Sequence, residues 1–494
     1  MFSLTTLALL LASLFTWPAP ASRVVMQDAA QAARPSVTLA DCDVPDVKGK
    51  ARCGIYEVFE NRVTRQGRKI GLKIVVLPAT GTERAPDAFF YLEGGPGVSA
   101  IDSASYIAQE FASLRERRDL VFVDQRGTGG SNPLVCPMYD PADPQSALRE
   151  FFPPESVRRC RTALEAKADL TLYTTPVAAD DLDEVRAALG YERINLFGAS
   201  YGTRAALVYL KRHPRSVRSL LLQGVAPTHR FMPLDFPVSA QRALDGVIGE
   251  CERDEACRAA FPRVRAEARE VFEKLKKGPV EVEIKLRQTG ATARVKLSRN
   301  LAAEAVRYML YNSGASPRVP LFIHRAAGGD FKPLAESALN YRRNLVDADS
   351  NGLYLSITCA EDLPFIKPGE GERTEHTFIG HYRLTEQRAA CALWPRSPVP
   401  ADYSQPTRSD APVLILTGQW DPVTPPSQGD EVAKSLSNST HLVVPQGGHG
   451  FGGLQNRDCI RRLMIEFVER GTAKGLDASC VSGIKRQAFA TTMP

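Results

Sequence analysis

Gly198-Ala199-Ser200-Tyr201-Gly202 stands directly after the apolar run RINLFG and directly before a helical pattern over Tyr201 to His213. A serine between glycines at a strand-to-helix turn is what a serine nucleophile requires. The turn is so sharp that neighbouring backbone leaves no room for β-carbons beside Ser200. Its hydroxyl is then exposed at the carboxyl end of a strand, next to a helix N-terminus whose free N–H groups favour developing negative charge. A serine hydroxyl is a weak nucleophile until a base takes its proton. The elbow predicts that an acid and then a histidine follow in the chain, each after a strand. APVLILTG leads into Gln419-Trp420-Asp421-Pro422, and HLVVP leads into Gly447-Gly448-His449-Gly450. The 28 residues from Asp421 to His449 fit two neighbouring strand-end loops with one helix between them. Asp421 is expected to orient His449 and stabilise its imidazolium, and His449 to serve as general base and then general acid.

Acyl transfer also needs donors aimed at an oxyanion. The backbone N–H of Tyr201 is the expected first donor. The second is sought in the loop after an earlier strand, and Gly94-Gly95-Pro96-Gly97 follows DAFFYLE. The N–H of Gly95 is favoured over that of Gly94. No metal is called for, since the chain has neither a C-x-x-C pair nor an HExxH sequence. No organic cofactor is called for either, because serine, histidine, aspartate and the donors supply the chemistry together.

These residues need a frame. ARCGIYEVFE and KIGLKIVVLP read as a β-hairpin. DAFFYLEGGPG and RDLVFVDQRGTGG each read as a short apolar strand ending in a glycine turn, as in a sheet buried on both faces. AADDLDEVRAALG reads as a helix ending near Gly190, RINLFG as a strand, and VRSLLLQGV as the next strand after the Ser200 helix. This alternation predicts a doubly wound, mostly parallel α/β sheet. The rhythm breaks after Pro227 and returns at APVLILTG. Residues 22–230 and 401–494 are therefore assigned to one α/β domain, and 231–400 to a mainly helical cap inserted in it. VEVEIKL and ARVKLS form a hairpin within that cap.

Composition sets the outer bounds. The 494 residues carry 62 Lys+Arg against 56 Asp+Glu, a formal charge of +6, without a long basic run. That argues against nucleic acid as a partner. The first residues, MFSLTTLALLLASLFTW, fade into PAPAS, and Ala19-Pro20-Ala21 fits a signal-peptidase site. The apolar stretch is shorter than the ~20 residues of a membrane span. Residues 1–21 are read as a signal peptide, with a secreted or periplasmic mature chain and no integral span. The ten cysteines lie as near neighbours: Cys42 and Cys53, Cys136 and Cys160, Cys251 and Cys257, Cys359 and Cys391, Cys459 and Cys480. Export permits disulfides, and sequential pairing is the simplest of many connectivities that spacing leaves open. Asn438-Ser439-Thr440 is a glycosylation triplet of a kind frequent by chance.

LEGGPG, VDQRGTGGS, GASYGTR, GQWDPVTP and GGHG follow the order seen in the proline iminopeptidase and tripeptidyl aminopeptidase branch of the α/β-hydrolases. CERDEACRAAFP, the hairpin and LYLSITCAEDLPF resemble that branch's insert. Residues from about Asp410 to Cys480 resemble the C-terminal region of the secreted tripeptidyl aminopeptidases. The resemblance spans nearly the whole mature chain and implies an exopeptidase that clips short peptides from free N-termini beneath a cap. Where the family commonly has His before GGPG, this chain has Glu93, which tells against strict prolyl preference. A buried carboxylate needs a partner, and the substrate's α-ammonium would be one. Glu361 and Asp362 in TCAEDLPF are the candidates, with Glu93 behind them. Because fold alone does not set the substrate, an esterase or lipase on the same residues is the alternative, and a non-catalytic binding module the third reading. Sequence leaves the oligomeric state open.

Overall fold

The strands carry the alternation read from sequence. They are β1 (Ala40–Cys42), β2 (Ala51–Asn61), β3 (Gln66–Leu77), β4 (Ala88–Leu92), β5 (Leu120–Val123), β6 (Ile194–Ala199), β7 (Val217–Gln223), β8 (Val280–Lys285), β9 (Thr292–Leu297), β10 (Val413–Gly418) and β11 (Ser439–Val444). The computed structural model describes residues 35–286, 290–348 and 350–493. The signal-peptide reading falls on residues 1–21, outside the described residues. From Ser36 onward the chain forms one compact unit.

Nine strands form one sheet in the order β1-β2-β3-β5-β4-β6-β7-β10-β11. β1, β2 and β3 pair antiparallel, as does β3 with β5. From β5 through β4, β6, β7, β10 and β11 every pairing is parallel. Composition explains the difference. AFFYL in β4 and VLILTG in β10 are buried at every position, as strands covered by helices on both faces must be. In a parallel array all carboxyl ends lie on one edge of the sheet. The ends of β6, β10 and β11 therefore share the edge on which Ser200, Asp421 and His449 follow.

Between β7 and β10 lies the insert. Its helix Val264–Lys276 buries Val264, Ala268, Val271, Phe272 and Leu275, one face at helical spacing. That face packs with Leu244, Val247 and Ile248 of helix Phe236–Arg253, Leu301 and Val306 of helix Arg299–Tyr311, Leu334 and the β8–β9 hairpin as a separate apolar core. The insert is not homogeneous up to residue 400, however. Leu353, Leu355 and Ile357 of helix Asn351–Glu361, with Ala390 and Trp394, join the core of the sheet beside Leu196, Leu207, Leu222 and Ile415. The reason lies in the sequence NGLYLSITCAE, whose residues are buried nearly all round the helix. Such a helix belongs inside a large core, not over a cap.

All ten cysteines are paired, each with its neighbour: Cys42–Cys53, Cys136–Cys160, Cys251–Cys257, Cys359–Cys391 and Cys459–Cys480. Among the described residues no helix is long and apolar enough to cross a membrane.

Candidate active site

Ser200 joins β6 to helix Tyr201–Arg212 with φ 54° and ψ −124°. A non-glycine residue in this region costs about 1–3 kcal/mol and persists only where its surroundings hold it. Here the Ser200 N–H donates to Gln223 O at 2.9 Å, at the end of β7, and Thr203 N–H donates to Ser200 O at 2.9 Å. Gly202 permits the close approach. A β-carbon there would lie 2.1 Å from Leu92 O at the end of β4. Tyr201 begins the helix, so its N–H has no acceptor within it.

The loops that carry Asp421 and His449 are stitched together by backbone. Gln419 N–H donates to Val444 O at 2.9 Å and Trp420 N–H to Gly447 O at 2.7 Å. Asp421 is fully buried. Its Oδ1 accepts from Val423 N–H at 2.8 Å and Thr424 N–H at 2.9 Å. Its Oδ2 accepts from the Thr424 hydroxyl at 2.8 Å and from His449 Nδ1–H at 2.7 Å. With the proton on Nδ1, Nε2 keeps the lone pair that can take a proton. The insert supports the base loop from the other side. Gly450 N–H donates to Tyr311 O at 2.9 Å, Gly448 N–H donates to Ser313 Oγ at 2.9 Å, and the Tyr311 ring meets the imidazole edge-on at 4.8 Å. Gly224, after β7, lies against the imidazole, where a β-carbon would approach Cε1 to 2.9 Å.

Ser200 and His449 open into one cavity of about 780 Å³, roofed by insert residues that include Arg318 and Glu336. Glu93 also lines it. The Glu93 carboxylate accepts the Tyr91 hydroxyl and the Gly94 N–H, each at 2.8 Å, and the Ser103 hydroxyl. That occupies the Gly94 N–H. A β-carbon on Gly94 would lie 3.1 Å from Ser200 Cβ, so the GGPG loop runs directly against the serine.

Glu361 and Asp362 are not in this cavity, which corrects the reading of them as ammonium anchors. Both are fully buried. Glu361 accepts Thr175 N–H and the Thr175 hydroxyl, each at 2.6 Å, and the Tyr403 hydroxyl. Burial pushes its carboxyl up to about 7. Asp362 Oδ1 accepts Arg204 Nη1–H and Met232 N–H, each at 2.9 Å. Burial raises its carboxyl too, against the pull of Arg204. The buried helix that ends at Glu361 carries both acids into the core, where local donors bond Glu361 and one oxygen of Asp362.

The family model for the alpha/beta hydrolase fold matches residues 87–452. The chain belongs to the α/β-hydrolase fold family. Among its relatives, the serine protease Hip1 of Mycobacterium tuberculosis is 26% identical over 480 residues, covering 88% of this chain and 89% of that protein. The tripeptidyl aminopeptidase of Streptomyces lividans is 24% identical over 487 residues, covering 92% and 88%. The carboxylesterase B of Mycobacterium tuberculosis is 24% identical over 460 residues, covering 87% and 86%.

In this α/β-hydrolase, sequence reasoning missed three residues. Thr424 bonds Asp421 and lies 3.1 Å from His449 Nδ1. Its signal was present, a hydroxyl three residues after the acid in a tight turn. Tyr311 had none, because its contact with His449 is set by how the insert packs. Glu336, which lines the cavity, makes no ion pair or side-chain hydrogen bond among the described residues. Among the described residues no cluster of three or more His, Cys, Asp or Glu is arranged to hold a metal ion.

Proposed function

We propose that this α/β-hydrolase is an exported serine aminopeptidase acting through an acyl-enzyme. The observation that carries the reading is the His449 Nδ1–H to Asp421 hydrogen bond of 2.7 Å, with His449 and the elbow residue Ser200 lining one cavity. His449 Nε2 takes the Ser200 proton as Oγ attacks the carbonyl carbon. Asp421, held by three donors besides the imidazole, stabilises the imidazolium. The tetrahedral oxyanion is met by the N–H groups of Tyr201 and Gly95. His449 then protonates the leaving amine, and water completes the cycle by the same proton transfers. The free N-terminus of the peptide is received by Glu336, a carboxylate of the cavity wall without an ion pair among the described residues, with Glu93 as the second carboxylate. The relatives named as peptidases support the substrate class. The five disulfides support an oxidising compartment.

Fluorophosphonate labelling of the folded protein tests the chemistry. Label is expected on the native chain and absent from Ser200→Ala; no label on the folded native chain overturns it. Amino-acyl, dipeptidyl and tripeptidyl chromogenic amides, free and N-acetylated, test the substrate. Acetylation is expected to abolish cleavage, and equal rates on both forms remove the ammonium anchor. The carboxylesterase relative favours one second reading, an ester hydrolase on the same residues. Turnover of acyl esters with none of free peptide amides would establish that reading instead.

A further inference from the structure

Beyond the last helix, Asp458–Arg470, and the turn Ser479–Gly483, the chain returns across the molecule to the insert. Gln455 N–H donates to Lys485 O at 2.8 Å, and Arg486 N–H to Gln446 Oε1 at 2.8 Å, on the base-loop side. The Arg486 guanidinium pairs with Glu250 at 2.6 Å on helix Phe236–Arg253 and lies over the Phe489 ring at 4.3 Å. Glu250 also accepts Trp420 Nε1–H at 2.6 Å, next to Asp421. Phe489 and Ala490 pack on the insert core, and Ala490 N–H donates to Pro317 O at 3.2 Å. Three residues on, Met493 lines the cavity that holds Ser200 and His449. It is 39% exposed, so it stands at the mouth and not in the depth.

We propose that residues 486–493 form a strap whose end narrows the mouth of the cavity and sets how long an acyl chain it admits. The strap is anchored on both the base-loop side and the insert as far as Ala490, three residues before Met493. An unbranched apolar side chain there excludes bulk by volume without adding a charge that would select a side chain. The proposal rests on the acyl-enzyme reading for its chemistry, but not on the acyl group being a peptide.

The test compares Met493→Gly, Met493→Trp and Ala490→Pro with the native chain on two length series. One is amino-acyl to pentapeptidyl chromogenic amides with free N-termini; the other is short- to long-chain nitrophenyl esters. The readout is the ratio of kcat/KM for the long over the short member, in which any general loss cancels. Fluorophosphonate labelling of Ser200 certifies that each variant is folded. Met493→Gly, which opens the mouth, and Ala490→Pro, which removes the donor to Pro317, are expected to raise the ratio by about tenfold. Met493→Trp is expected to lower it by about as much. A ratio that stays at the native value in Met493→Gly and Met493→Trp overturns the strap. If esters alone are cleaved, the aminopeptidase reading fails while the ester series still decides the strap. If peptides are cleaved with an unchanged profile, the strap fails and that reading stands.

Discussion

Thr424 gives its hydroxyl proton to Asp421 Oδ2 at 2.8 Å, the same carboxylate oxygen that receives His449 Nδ1–H at 2.7 Å. Asp421 is therefore held by its own turn as well as by His449. Thr424→Val keeps the shape and removes the donor. A hydrogen bond to a charged group is worth about 1.5–3 kcal/mol, so kcat is expected to fall about 10- to 150-fold. Thr424→Ser should recover most of it. Steady-state kinetics beside a thermal melt decide the matter: equal kcat in the Val variant would show that the hydroxyl does nothing for the base.

Glu361 should make stability depend on pH. Its carboxyl stands at about 7 in the fold against a usual 4.5, because burial penalises the charge. Between those values the native state holds a proton that the unfolded chain has released, so stability falls as pH rises through the window. Full ionisation forfeits about 3 kcal/mol. Glu361→Gln, neutral at every pH, should lose this slope. Denaturant unfolding of both proteins across the window measures it, and parallel curves would refute the assignment.

The buried pair Arg204–Asp362, at 2.9 Å, anchors the start of the insert through Met232 N–H. Arg204→Met would leave Asp362 charged and uncompensated inside the core. The expected loss is about 3–5 kcal/mol in unfolding free energy. A loss under about 1 kcal/mol, the range of exposed pairs, would mean that the pair is not closed as described.

The placing of Ser200, Asp421 and His449 at one edge of the sheet was legible because each follows a strand by a short loop, a pattern written in neighbouring residues. The same holds for the β2–β3 hairpin and for the disulfides, whose partners are close in sequence. What was illegible depends on which way a helix faces. Glu361 and Asp362 look like exposed acids beside a staple, yet the helix NGLYLSITCAE is buried on nearly every side and draws them inward. Glu336 shares helix Lys332–Ala348 with Ser337 and Asn340, and all three line the cavity. Their spacing marks one polar face, but not what that face would meet. Likewise the return of helix Asn351–Glu361 to the sheet's core could not be read, since a helix gives no local sign of the core it joins.

Gly202→Ala should be among the most damaging single-methyl additions in the chain. The new β-carbon would lie 2.1 Å from Leu92 O and 2.9 Å from Glu93 O. Both are backbone, so β4 or the elbow must move. Overpacking of this kind costs about 3 kcal/mol or more, and any accommodation tilts Ser200. Fluorophosphonate labelling should vanish in whatever protein folds. Normal labelling would mean that β4 and the elbow are not so closely apposed.

The disulfides should differ in value according to the loops they close. Cys359–Cys391 spans 32 residues and joins helix Asn351–Glu361 to helix Tyr382–Leu393, whereas Cys251–Cys257 spans 6. If the cross-link acts on the unfolded chain, the longer loop contributes about 3.5 kcal/mol and the shorter about 2 kcal/mol. Both pairs are buried, Cys359 and Cys391 in the sheet's core and Cys251 and Cys257 in the insert's, so lost packing falls on both and the difference reads the loops. Paired alanine substitutions at each site, followed by denaturant unfolding, should therefore destabilise the 359–391 variant more. Equal losses at the two sites would show that loop length is not what these staples supply.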